Sequence, residues 1–120
     1  MIDINREIEK SLSVLPYRTA YYYPVDFKEL PVITFYTLTE NNSFAADNEA
    51  MIQQGYAAVD IWSSRAAECG SIAIDIDKAM TADGWTRDFS RDMPPESGIY
   101  HKNMRYVKEF ILGGNNYAEI

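Results

Sequence analysis

Val32-Ile33-Thr34-Phe35-Tyr36-Thr37-Leu38-Thr39 decides the fold. Every residue in this stretch is β-branched, aromatic or leucine, the composition that suits a pleated surface and not a helix. Alternation places Ile33, Phe35 and Thr37 on one face and Thr34, Tyr36 and Leu38 on the other, so the segment reads as a strong strand. A second strand follows at Gln54 to Trp62, where Ala57, Val59 and Ile61 face one way and Tyr56, Asp60 and Trp62 the other. Ahead of the first, the aromatic run Tyr17 to Tyr23 reads as a short strand, joined to it by a connector from Pro24 to Pro31.

Helical spacing flanks these strands. Ile4, Ile8, Leu12 and Leu15 form one stripe, with Arg6, Glu7 and Lys10 turned outward, Asp3 as N-cap and Pro16 ending the run. A second stripe, Cys69, Ile72, Ala73, Ile76, Ala79 and Met80, follows the capping hydroxyls of Ser63 and Ser64 and stops at Gly84. Trp85 to Phe89 reads as a short strand and Asp92 to Gly98 as turn chemistry. Ile99 to Leu112 reads as a long strand, expected to bend or stop early, with a helix over Asn103–Leu112 as the competing reading. The order helix, three strands, helix, two strands predicts an α+β fold: a mainly antiparallel sheet of about five strands with both helices on one face. One domain is expected over residues 1–120, with 113–120 as a flexible tail.

Composition narrows the function. The chain has 120 residues, 18 acids against 11 bases, and a net charge of −7, which speaks against a face that neutralises nucleic-acid phosphates. Neither the leader pattern of a secreted protein nor an apolar run of membrane length stands in the sequence, so the cytosol of the producing cell is expected. Cys69 is the only cysteine and His101 the only histidine. Cys69 lies on the apolar stripe and reads as a small buried residue, His101 as a sheet-surface residue beside Tyr100, Lys102 and Arg105. Asp75 and Asp77 read as solvated helix surface, and the mixed charges from Asp83 to Asp92 as exposed ion pairs. No glycine-rich phosphate loop, metal-ligand spacing or nucleophile–base pattern is visible. The expectation is a non-enzyme with no cofactor and no metal.

Two stretches invite contact with partners. Glu40–Gln53 reads as a long loop carrying Glu40, Asp47 and Glu49 with no base, yet also the apolar Phe44, Met51 and Ile52. Lys102, Arg105 and Lys108 make the last strand the most basic region, a candidate interface. A different class of function, a small-ligand module, would line its pocket with Tyr21-Tyr22-Tyr23 and Trp62.

Five blocks carry a resemblance: Pro31-Val32-Ile33-Thr34-Phe35-Tyr36 with Asn41-Asn42-Ser43; Ala46-Asp47-Asn48-Glu49; Gly55-Tyr56 with Val59-Asp60-Ile61-Trp62-Ser63; Ala79-Met80 with Gly84-Trp85; and Gly98-Ile99-Tyr100-His101-Lys102-Asn103-Met104-Arg105-Tyr106. In order and spacing they resemble the tail-completion, or tail-terminator, proteins of long-tailed bacteriophages and prophages. The resemblance implies a virion subunit made in the host bacterial cytoplasm. It implies a ring, usually of six, that caps the tail tube and joins it to the head side; many ring proteins of this sort stay monomeric until they meet their partner, and the state in solution is left open. DNA would pass through without sequence-specific binding, and the partners would be the tail tube protein and the head–tail connector proteins. Within that setting, Glu40, Asn42, Phe44, Asp47, Glu49 and Met51 are the expected lumen or assembly loop, and Lys102, Arg105 and Lys108 an assembly interface. A head–tail connector, or stopper, is the alternative role.

Overall fold

The computed structural model of the chain describes residues 1–24, 26–44, 50–113 and 116–119. Two helices and six strands follow in the order α1 (Ile4–Leu12), β1 (Arg18–Tyr21), β2 (Val32–Phe44), β3 (Ala50–Ser63), α2 (Ala66–Ala82), β4 (Thr86–Glu96), β5 (Ile99–Gly113) and β6 (Asn116–Glu119). The sheet order is β1-β2-β3-β5-β4, with β6 also pairing β5. All pairings are antiparallel except β1 with β2, which is parallel. The fold is α+β.

Both helices lie on one face of the sheet. Ile4, Ile8 and Leu12 from α1 and Cys69, Ile72, Ile76 and Met80 from α2 meet Ile33, Phe35, Ala57, Val59, Ile61, Met104 and Tyr106, the alternate residues of the central strands. This single cluster is the core, and its aliphatic and aromatic area supplies the main driving force for folding. Asp3 caps α1 by accepting the Arg6 N–H. Helix α2 begins differently from expectation. Arg65 occupies the N-cap position, and Ser63 Oγ accepts the Arg65 N–H while donating to Glu68. Gly84 takes φ +91° as the chain leaves α2, a conformation glycine enters without a Cβ penalty.

Several segments depart from the sequence expectation. The supposed loop Glu40–Gln53 is mostly strand: β2 continues through Phe44, β3 begins at Ala50, and the two pair from Glu40↔Gly55 to Phe44↔Met51 after a bulge at Leu38. Strand β4 runs eleven residues, through Pro94-Pro95, to the Ser97-Gly98 turn. Proline is tolerated there because β4 is an edge strand and its register slips between Met93 and Glu96. Strand β5 neither bends away nor stops early, since β3 pairs with it from Ser63↔Tyr100 to Ala50↔Gly113. The segment 113–120, expected to be a flexible tail, contains β6, paired with β5 from Phe110↔Glu119 to Gly113↔Asn116.

The long strands pass beyond the helical layer as an arm, giving the molecule extents of 53 × 22 × 21 Å. The N-terminus braces the base of this arm. Buried Gln53 accepts from the Ile2 N–H and donates to the Ile2 carbonyl and the Glu40 carboxylate. Gly55 leaves just enough room for Ile4, whose Cδ1 would lie 2.7 Å from a Cβ there. No described helix is long and apolar enough to cross a membrane.

Candidate functional site

The helix-free face of the sheet brings together a cluster of polar and aromatic side chains. Register brings them into rows: Trp62, His101 and Met93; Thr34, Asp60, Asn103 and Arg91; Tyr36, Ala58, Arg105 and Phe89. Asp60, only 6 % exposed, accepts at Oδ1 from His101 Nε2 (2.6 Å) and Asn103 Nδ2 (2.9 Å). Asn103 Oδ1 in turn accepts from Arg105 Nε at 3.2 Å, and the Arg105 guanidinium lies 5.1 Å from the Phe89 ring centre. Trp62 donates its indole N–H to Thr34 Oγ1 at 2.9 Å, and His101 stacks on Trp62. Among the described residues no buried side-chain nitrogen or oxygen lacks a partner, as burial demands.

The segment after β1 folds over this floor. Tyr23 meets Trp62 edge to face at 5.2 Å, Phe27 packs against both, and Tyr22 stacks on Tyr36 at 4.7 Å. Burial at that contact pushes the Tyr36 hydroxyl above its ordinary pKa. Two hollows result. One of about 270 Å³ is lined by Tyr23, Phe27, Trp62 and His101 with Glu96 and Ile99; a second, of about 230 Å³, includes Tyr22, Tyr36, Arg91 and Arg105. The tyrosine triplet does not act as a unit: Tyr22 and Tyr23 join this face, whereas Tyr21 packs on Phe35 toward α1.

His101 is therefore not an isolated surface residue but half-buried between a tryptophan and a carboxylate. Its ring nitrogen meets Asp60, which orients the imidazole, and no described hydroxyl or thiol bonds the ring. Cys69 is buried and directs its Sγ to the Tyr100 carbonyl, and burial pushes its thiol above the ordinary pKa, away from the reactive thiolate. No three His, Cys, Asp or Glu residues converge as a metal site among the described residues.

The expected interface trio is divided. Lys108 is buried at 4 % exposure; its ammonium donates to the Asp83 carbonyl at the C-terminal end of α2 and lies over Trp85 and Phe110. That position matches a cation to the negative end of the helix dipole. Lys102 lies on the helix-side face and pairs with Asp92 at 3.0 Å, while Arg105 lies on the opposite face. They form no common basic patch. Of the expected loop residues, Glu40 and Asn42 are exposed on β2, Met51 is half-buried on β3, and Phe44 lies at the end of β2. Asp47 and Glu49 lie outside the described residues.

Asp75 and Asp77, read as solvated, accept from the hydroxyls of Tyr17 (2.6 Å) and buried Tyr106 (2.9 Å) and tie α2 to the rest of the core. Arg87 adds an ion pair to Asp77. Comparison with models of known protein families finds none that matches this chain, and comparison with curated proteins finds no relative.

Proposed function

We propose that this chain is a structural subunit of a phage or prophage virion, a tail-terminator or tail-completion protein that acts as a ring at the head-proximal end of the tail tube. The observation that carries the reading is the arm. A domain of this size folds around one core, yet here four strands, β2, β3, β5 and β6, extend past the helices. Such an extension is the kind of element that contacts a neighbour or lines a shared channel. The order and spacing of the five sequence blocks, which resemble that family, support the reading. Six copies at −7 each would make a channel that repels DNA phosphates, favouring passage over adhesion.

The test is the mass of the purified protein alone and with polymerised tail tubes, by light scattering and negative-stain microscopy. Rings, or density capping tube ends, are expected. Binding to the head portal complex without tube capping would favour the connector role instead. A second reading draws on the hollow beside Trp62: Tyr23, Phe27 and His101 surround a space of small-molecule size. A protein that binds neither tubes nor portal but gains melting temperature with a small aromatic ligand would support that module.

A further inference from the structure

The helices cover one face of the sheet, and on the central rows of the other the exposed charge is positive in a chain that is acidic overall, with Glu109 further along the same face. On those rows the one acid, Asp60, is buried against His101 and Asn103, and the charged groups that reach solvent are Arg91 and Arg105. The exposed side chain of Arg91 makes no hydrogen bond or ion pair among the described residues. Arg105 donates its Nε to Asn103 and lays its guanidinium over Phe89, and no hydrogen bond or ion pair among the described residues engages its terminal nitrogens. Both guanidiniums border the 230 Å³ hollow together with Tyr22, Tyr36 and Met93.

Tyr22 adds a second observation. It sits at φ +72°, in the left-handed region that a bulky non-glycine residue rarely occupies, and there its ring stacks on Tyr36 with 23° between planes. Backbone held in such a region typically marks a functional element. The result is an aromatic wall beside two cations, in a chain of net −7.

We infer that this face docks a carboxylate-bearing segment of a neighbouring protein in the assembly. One or two Asp or Glu side chains pair with Arg91 and Arg105, and an adjoining apolar or aromatic residue packs on Tyr22, Tyr36 and Met93. The guanidinium fork matches a carboxylate in two parallel hydrogen bonds, and the ring wall supplies the area that makes such a contact stable. A nucleic-acid strand fits less well: it brings a charge at every phosphate to a face with two cations on a strongly negative body. The inference deepens the subunit reading and rests on it for the partner being a protein.

The indole signals of ¹⁵N-labelled protein test it directly. Trp62 lies under the site and Trp85 on the opposite side of the sheet, bonded to Ser11, as an internal control. The probes are the capped peptides acetyl-Glu-Phe-Glu-amide and acetyl-Gln-Phe-Gln-amide, and a ten-nucleotide thymidine strand. The acidic peptide is expected to shift Trp62 and not Trp85, saturably. Arg91→Gln with Arg105→Gln should weaken it about tenfold or more, and Arg91→Gln alone, at an exposed side chain, by several-fold with the fold intact. Equal binding of the glutamine peptide, stronger binding of the oligonucleotide, or no shift of Trp62 overturns the inference. Wild-type protein that caps tubes yet binds no acidic peptide would leave the subunit reading standing and this one fallen; peptide binding without tube or portal binding would do the reverse.

Discussion

Trp62 and His101 lie ring on ring, their centres 3.7 Å apart and their planes 14° from parallel, while the imidazole reaches on to buried Asp60. One stack and one charge-assisted bond fix the centre of the helix-free face. Asp60→Ala leaves His101 and Asn103 without their common acceptor and should destabilise the protein by about 2–3 kcal/mol. His101→Ala, which removes the stack and one donor, should cost less, about 1–2 kcal/mol. Urea unfolding followed by tryptophan fluorescence gives both values; an Asp60→Ala change within about 0.5 kcal/mol of wild type would mean the pairing has no structural weight.

Lys108 distinguishes an interface residue from a core residue. If it were a surface contact, reversing its charge would leave the isolated protein intact. Its position at the end of α2 instead predicts that Lys108→Glu costs about 3 kcal/mol or more, because a carboxylate would be buried against the Asp83 carbonyl. Lys108→Met, which keeps the packing on Trp85 and Phe110, should cost clearly less. Circular-dichroism melting of the two variants decides it.

Tyr106 sets an alkaline limit. Burial, then its bond to Asp77, raises its pKa far above the ordinary value near 10, so the folded state holds this proton more tightly than the unfolded chain does. Stability from this group is fully present below about pH 10 and is lost as pH rises beyond it. Tyr106→Phe should be less stable at neutral pH by about 1 kcal/mol, yet show a flatter decline between pH 10 and 12. The decline should not vanish, because Tyr17, bonded to Asp75, and Tyr36 are raised as well. Denaturation midpoints across that range test the sign.

Gly55 tests the brace between arm and N-terminus. A Cβ at this position would meet three atoms of Ile4 within 3.1 Å, and Ile4 is itself buried. Gly55→Ala should cost about 1–3 kcal/mol by overpacking. Amide exchange of residues 2–8 should rise with it, since Ile2 is anchored to Gln53 on the same strand.

The central strands and both helices were legible because their apolar periods agree with what they bury: Ile33 and Phe35, Ala57, Val59 and Ile61, and Ile72, Ile76 and Met80 all reach the core. The arm was not, because strands flanked by solvent need no apolar alternation, and Glu40-Asn41-Asn42-Ser43 carries the composition of a loop. Pro94-Pro95 signalled a turn, and only the edge position of β4 lets a strand continue through it. The face around Asp60 was half legible. Its parity on β3 could be read, but its union with His101, Asn103 and Arg91 depends on β3 lying between β2 and β5, with β4 outside them, a fact of pairing no local pattern contains.

Parallel pairing of β1 with β2 has a consequence for everything laid over that face. A hairpin would have let the chain reverse within two or three residues and leave the rings of Trp62 and Tyr36 bare. Here Arg18 stands opposite Val32 and Tyr21 opposite Phe35, so the chain must return the whole length of β1 before β2 can start. The aromatic cover is that return journey. It is a topological necessity, present whenever the sheet is complete, and any change that shortened it into a hairpin would have to reverse β1 before it could uncover Trp62.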